Sequence, residues 1–137
     1  MTQEDKELLL KDLCARLPYG VKGLAYIAGE PCNINTNVNG VINNSIVTDY
    51  KSPMLELINL NSKDITIKPY LRSMSSMTEE EINEFEQITD NLLDNGTSEE
   101  IWNTVIDWLN AHHFDHRHLI PRGLAIEVTP ENNPYKV

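Results

Sequence analysis

The amino-acid sequence predicts a single domain of the α+β class, and three observations support this prediction. Apolar residues recur at helical spacing near the start of the chain. Between residues 21 and 71, short runs rich in β-branched and aromatic residues alternate with turn-forming residues. From residue 78 onward the apolar spacing is helical again. A length of 137 residues suits one domain with its own hydrophobic core, so the prediction covers residues 1–137 as one unit.

The first predicted element is a helix over residues 2–17. Thr2 is a candidate N-cap, and Asp5 follows three residues later, which is a capping pattern. Leucines recur every four residues from Leu9 to Leu17, so they share one face of the helix. The Pro-Tyr-Gly sequence that follows is expected to end the helix.

The β region, residues 21–71, predicts five short antiparallel strands. An Asn-Gly pair at 39–40 is typical of a two-residue hairpin turn, because Asn and Gly tolerate positive φ. A second hairpin is predicted to turn through residues 61–64. Pro69 lacks a backbone N–H donor, so the last strand is expected at a sheet edge or at a bulge. The strands, predicted over 21–28, 32–38, 41–47, 54–60 and 65–71, would form a curled meander or a small barrel.

The C-terminal part predicts a helical hairpin over residues 78–113. Thr78 and Thr97 are each followed three residues later by a glutamate, which predicts two capping boxes and therefore helices over 78–94 and 98–113. The tail, residues 114–137, contains one apolar run at 123–128 that predicts a short strand.

Composition and charge exclude several classes of function. The formal net charge is −10, and no Lys or Arg occurs between Arg72 and Arg117, so general binding to nucleic-acid backbones or to anionic membranes is not expected. No apolar stretch approaches the roughly 20 residues of a membrane span, and no signal sequence is recognisable. Cys14 and Cys32 without a signal sequence predict reduced thiols and a cytoplasmic location.

Three stretches resemble a known group of proteins. They read LLLKDLCARLPYGV at 8–21, KPYLRSMSSMTEEE at 68–81, and DWLNA at 107–111 with its continuation to residue 125. Together they resemble a family of small uncharacterised proteins from gut bacteria and their phages or prophages. The resemblance implies a phage-type accessory context, in which small proteins bind host or defence components, and it assigns no catalytic residue.

The candidate metal site is the histidine cluster between residues 112 and 118, which contains all four histidines of the chain. Neutral imidazole is a common ligand of transition metals. On a continued helix His112 and His116 would share a face at i, i+4, which makes them the candidate ligands of a metal-dependent hydrolase. The alternative is a polar helix end, where cationic histidine interacts favourably with the helix dipole.

The candidate ligand-binding residues lie in or beside the β region. Tyr26, Lys68, Tyr70 and Arg72 would offer aromatic area and cationic donors to a small anionic molecule such as a nucleotide. The alternative is that these residues are simply good strand formers.

The favoured hypothesis is a non-catalytic accessory protein that binds a bacterial protein or a small anionic ligand. No nucleophile elbow, phosphate-binding loop or dinucleotide fingerprint is present, so no cofactor is predicted and an enzyme is disfavoured. The alternatives are an anti-defence sponge that sequesters a nucleotide signal, the metal-dependent hydrolase, and an inhibitor whose acidic helices mimic DNA.

Overall fold

The computed structural model describes residues 1–95 and 97–135, with the side chains of residues 92–95 left aside. The last two residues of the predicted tail therefore lie outside the described residues. The helices are α1 (Gln3–Arg16), α2 (Glu79–Asn95) and α3 (Ser98–Ala111), with short 3-10 turns at Leu17–Tyr19 and Met74–Ser76. The strands are β1 (Val21–Ile27), β2 (Glu30–Pro31), β3 (Thr36–Ile42), β4 (Ser45–Thr48), β5 (Leu57–Asn59), β6 (Ile65–Leu71) and β7 (Ile126–Glu127).

The α+β class is confirmed, and the strands of residues 21–71 pair antiparallel as predicted, whereas the meander order and the closed barrel are wrong. Within the described residues the sheet has seven strands in the order β5-β4-β3-β1-β6-β7, with β2 paired to β1, and it is open. β7 runs parallel to β6, with Ile126 opposite Tyr70. The chain reaches β7 from β6 through α2 and α3, and such a long connection is what a parallel pair requires.

The hairpin turn predicted at Asn39-Gly40 is wrong, because these two residues lie inside β3. The chain turns instead at Asn43 and Asn44, where Asn43 has a φ of 55°, and Ile42 pairs with Ser45. A register shift between Val38 and Gly40 marks a bulge.

The second predicted hairpin is also wrong. β5 pairs with β4 and β6 pairs with β1, so the segments on either side of residues 61–64 are not ladder neighbours. The prediction for Pro69 is partly right. β6 is an inner strand of the order, but β7 pairs only with Tyr70 and Leu71, so β6 has a free outer edge before Tyr70 in the described residues.

The helices agree with the sequence prediction to within two residues at each end. Thr2 accepts a hydrogen bond from the Asp5 N–H at 3.1 Å, which caps α1. Thr97 and Glu100 form the predicted capping box of α3. α2 and α3 pack against each other through Phe85 and Trp108, whose ring centroids are 5.5 Å apart.

Two apolar clusters hold these elements together. The larger one joins α1 to one face of the sheet, with Leu9 and Leu13 packed among the inward residues of β1, β3, β4, β5 and β6. The smaller one centres on Trp108 and Phe114 beneath α2 and α3. No helix among the described residues is long and apolar enough to cross a membrane.

The C-terminal tail is held to the sheet by Tyr135, whose hydroxyl lies between β1 and β6. The hydroxyl donates to the Tyr70 C=O at 2.8 Å and accepts from the Lys22 N–H at 3.0 Å. Its ring stacks on His113 with centroids 3.6 Å apart. Burial raises the pKa of Tyr135 to about 12, so the phenol stays protonated and keeps its donor role at neutral pH.

Candidate functional site

The structure brings together two of the four candidate ligand-binding residues. Lys68 on β6 places its ammonium 4.9 Å from the centroid of the Tyr26 ring on β1, which is cation–π geometry. Tyr70 is buried, and its hydroxyl donates to Asn35 Oδ1 at 2.8 Å. Tyr70 therefore contributes to the packing of the sheet rather than to an open pocket.

Arg72 is occupied by protein partners. Its guanidinium donates to both carboxylate oxygens of Glu81 at 2.7 and 2.6 Å, and it lies 4.3 Å from the centroid of the Phe114 ring. These hydrogen bonds hold the pKa of Glu81 at about 2. The paired Arg72 thus joins the end of β6 to the start of α2 and is not free to receive an anion.

The structure does not place His112 and His116 on one helix face. α3 ends at Ala111, because His113 adopts a φ of 64° that turns the chain away from the helix. His112 Nδ1 lies 2.8 Å from the Trp108 carbonyl, and His116 Nε2 lies 2.8 Å from Asn110 Oδ1. Burial lowers the pKa of both His113 and His116 to about 4, so both are neutral at pH 7. No group of three or more His, Cys, Asp or Glu side chains suited to a metal ion occurs in the described part of the chain.

A cleft of about 710 Å³ lies between the start of α1, the loop before β6, β6 itself and the turn at residues 119–124. Its inner wall is apolar, formed by the buried side chains of Leu60, Ile67 and Leu124. We call this feature the basic cleft, because four of the eleven Lys and Arg residues of the chain line it, namely Lys6, Lys63, Lys68 and Arg122.

Each cation of the basic cleft comes from a different element. Lys6 lies on α1 and donates to Asn61 Oδ1 at 3.0 Å, which connects the helix to the loop before β6. Arg122 lies 3.2 Å from Asp5 and 3.6 Å from Glu4. No described carboxylate lies within 4.0 Å of the ammonium of Lys6, Lys63 or Lys68. Lys6 and Lys63 therefore give the cleft a positive charge that the described residues do not neutralise, whereas the Lys68 ammonium lies over the Tyr26 ring beside it.

The turn that carries Arg122 is fixed from within the chain. The Asp115 carboxylate accepts hydrogen bonds from the Leu119 and Ile120 N–H groups at 2.9 Å each. Gly123 then adopts a φ of 74°, which is the left-handed region that favours glycine. These constraints direct the segment back toward α1, where Arg122 meets Asp5.

The free edge of β6 borders the same cleft. The Ala28 N–H donates to the Asp64 C=O at 2.6 Å, and Tyr26 pairs with Thr66 two residues along each strand. Hydrogen-bonded pairs alternate in an antiparallel ladder, so Ile67 between them directs its N–H and C=O away from β1. The Thr66 Oγ1 atom is buried without a hydrogen-bond partner among the described residues. The edge thus adds the Ile67 N–H as a neutral donor beside the cleft.

Comparison with known protein families, with curated proteins and with solved structures finds no match to this chain.

The arrangement of the basic cleft can bind and orient an anion. Lys ammonium and Arg guanidinium groups form charge-assisted hydrogen bonds with carboxylate and phosphate oxygens, and these are stronger than bonds between neutral groups. Its lining contains Asp5 as the single acidic residue among those the structure describes, and no histidine or cysteine. Of the residues named from the sequence, Lys68 lines the cleft and Tyr26 contacts Lys68. Lys6, Lys63 and Arg122 were missed, because they lie in three separate segments with no common motif.

Proposed function

We propose that this protein is a non-catalytic binding protein that takes a small anionic ligand into the basic cleft. The observation that carries the proposal is the charge of the cleft: Lys6, Lys63 and Arg122 line it with one carboxylate, Asp5, in a chain with a formal net charge of −10. An anion approaching most of this acidic surface is repelled, whereas low-dielectric walls lined by one sign of charge concentrate the opposite charge.

The size and composition of the basic cleft suit a small molecule. Its volume of about 710 Å³ falls within the roughly 300–1,000 Å³ typical of ligand pockets. The apolar wall of Leu60, Ile67 and Leu124 can cover an uncharged part of the ligand, and cations belong to the same lining. A ligand with an anionic group on an apolar or planar body therefore fits this lining better than a bare ion does.

The resemblance to small phage and prophage proteins suggests the context of this binding. In that context, we propose that the protein acts as an accessory protein in the bacterial cytoplasm. A nucleotide signal is a candidate ligand, because nucleotides combine phosphate with a planar base. Sequestration of such a signal would make the protein an anti-defence sponge. No observation favours the metal-dependent hydrolase, because His112 and His116 have other partners.

The test is the shift in melting temperature on adding anions to the purified chain. We would add inorganic phosphate, AMP and a cyclic dinucleotide to the unaltered protein, to Lys6→Gln and to the control Lys51→Gln. Lys51 is exposed and does not line the cleft. A ligand at about a hundred times its Kd stabilises the folded state by about 2.7 kcal/mol, which raises the melting temperature of a chain of this length by roughly 5–10 °C.

We expect at least one anion to stabilise the unaltered protein and Lys51→Gln equally, and Lys6→Gln less. An equal shift in all three proteins would place the site elsewhere and refute the role of the basic cleft. Hydrolysis of the added nucleotides, followed by chromatography, would contradict the non-catalytic part of the proposal.

A further inference from the structure

We infer that two copies of this chain associate through β5, whose outer edge pairs with the β5 strand of the second copy. β5 lies at one end of the sheet, and within the described residues only β4 pairs with it. A strand edge without a neighbour presents backbone donors and acceptors that another strand can use. The residues of β5 do not line the basic cleft, so the inference does not depend on anion binding.

Leu57 directs both of its backbone groups toward this edge. The Thr48 N–H donates to the Glu56 C=O at 3.0 Å. The Leu60 N–H donates to the Asn44 C=O at 2.9 Å. Hydrogen-bonded pairs alternate along an antiparallel ladder, so the N–H and C=O of Leu57 point away from β4. A twofold axis beside Leu57 lets its N–H donate to the C=O of the partner's Leu57 and its C=O accept in return, so one register forms two identical hydrogen bonds.

The side chain of Leu57 suits this pairing, because it is apolar and 52% exposed. It lies on the face of the sheet away from α1, since the next residue, Ile58, points inward and belongs to the larger apolar cluster. Residues directly opposite each other in antiparallel strands project to the same face, so the two Leu57 side chains contact each other and lose exposed apolar area. Val47 of β4 lies beside Leu57 on this face and widens the apolar contact.

The charge distribution favours a second copy of the chain as the partner. With a formal net charge of −10, two copies repel each other wherever their acidic surfaces meet. Residues 31–48 and 57–62, which include β3, β4 and β5, contain no Asp, Glu, Lys or Arg. Glu56 precedes β5, but in this register it stands opposite the partner's Ile58, so the two Glu56 carboxylates are not opposed. A charged partner finds no charge of opposite sign in β5, whereas a second copy meets an uncharged strand like its own.

The first measurement is sedimentation velocity of the full chain at neutral pH, over concentrations from about 5 µM to about 500 µM. A contact made of two hydrogen bonds and a small apolar patch belongs among weak interfaces, so we expect a monomer–dimer equilibrium with a Kd of about 10–100 µM. The dimer should persist or tighten as salt is raised, because salt screens the repulsion between two acidic chains. Dissociation of the dimer by salt would contradict an uncharged interface.

Variants of opposite charge test the twofold register. Leu57→Glu and Leu57→Lys each place like charges opposite each other, so either variant alone should dimerise about tenfold or more weakly. An equimolar mixture of the two places opposite charges there and should recover the dimer. Leu57 is half exposed, so both variants should fold, which circular dichroism checks. Ile42→Lys is the matched control, because Ile42 is 59% exposed on β3, two strands from the edge, and should leave the dimer unchanged.

Each contrary result has a definite meaning. A chain that stays monomeric at every concentration would overturn the inference. A dimer that Leu57→Glu and Leu57→Lys leave intact would do the same, since another surface would then hold it. A mixture of the two variants that stays monomeric would show that Leu57 does not face its own copy. Loss of the dimer in Ile42→Lys would replace the pairing of edges by packing between sheet faces.

Discussion

Replacing Asp12 by asparagine tests an ion pair that is fully buried in the fold. Asp12 and Arg16 both have 0% exposure and lie one turn apart on α1. The carboxylate accepts from Arg16 Nε at 2.8 Å, from Arg16 Nη2 at 3.1 Å and from Arg117 Nη1 at 3.1 Å. The remaining contact of Arg16 is a donation to the Phe114 carbonyl at 2.7 Å. This network joins α1 to the segment that follows α3.

The expected loss of stability depends on which charge stays buried without its partner. Asp12→Asn keeps the size of the side chain and removes its charge, so the Arg16 guanidinium stays buried with only neutral acceptors. Arg117 is 17% exposed, so water can replace its ion pair with Asp12, and losing that pair lowers the free energy of unfolding less. Breaking a buried ion pair in this way typically costs about 3–5 kcal/mol, a large part of the 5–15 kcal/mol that stabilises a domain. For a chain of this length we expect the melting temperature to fall by about 10–20 °C.

Urea unfolding followed by circular dichroism at pH 7 measures the change. Asp90→Asn on the exposed surface of α2 is the matched control and should leave the urea midpoint unchanged. A loss of less than about 1 kcal/mol in Asp12→Asn would refute the account of a buried, uncompensated charge. A second variant isolates the cause: Asp12→Leu combined with Arg16→Met removes both charges and should be more stable than Asp12→Asn alone.

Three further variants test other contacts of the fold by urea unfolding. Gly23→Ala would place a Cβ 3.0 Å from a backbone oxygen of β6 and should lower the free energy of unfolding by about 1–3 kcal/mol. Gly40→Ala is the control, because the nearest atoms there are 3.9 Å from the added Cβ and the free energy of unfolding should stay unchanged. Hydrogen bonds from its arginine partner hold the pKa of Glu81 at about 2. Its contribution to stability is therefore complete above about pH 4.5 and is lost as the pH falls toward 2, so Glu81→Gln should flatten this acid limb and Glu80→Gln should not. Burial lowers the pKa of His116 to about 4, so the unfolded chain binds the proton more tightly and stability decreases as the pH falls from about 6.5 to 4. His116→Gln should reduce that slope, and an unchanged slope would contradict the assignment.

The helices could be predicted from the sequence because their signals are local. Thr2 and Thr97 each bond to a backbone N–H three residues away, and a pattern of three or four residues contains that information. The turn at Asn39-Gly40 shows the limit of such signals. Inside β3, Val38 is buried, and the later turn at Asn43 lets β4 bury Ile46 in the same core. Burial of these side chains outweighs the intrinsic preference of Asn-Gly for a turn.

Strand order could not be predicted from adjacency in the sequence. β5 and β6 are consecutive in the sequence but are not neighbours in the sheet. β6 pairs instead with β1, whose inward residues Val21 and Ala25 belong to the centre of the core. The basic cleft depends on this order, since the free edge of β6 forms one of its walls. Lys68 was identified because it lies in a strand with Tyr70, whereas Arg122 follows Lys68 by more than fifty positions and depends on the turn that Asp115 fixes.

The network around Asp12 and Arg16 has a consequence for how the chain reaches its folded state during synthesis. Arg16 bonds to Phe114, 98 residues later, and Lys22 bonds to Tyr135, 113 residues later. A ribosome adds about 5–20 residues per second, so about 5–20 s pass between translation of Arg16 and translation of its partner. During that interval the leucines of α1 and the inward face of the early strands lack their final cover. The larger apolar cluster is therefore complete only after Leu119 and Leu124 have been synthesised, and the early strands stay partly uncovered until then.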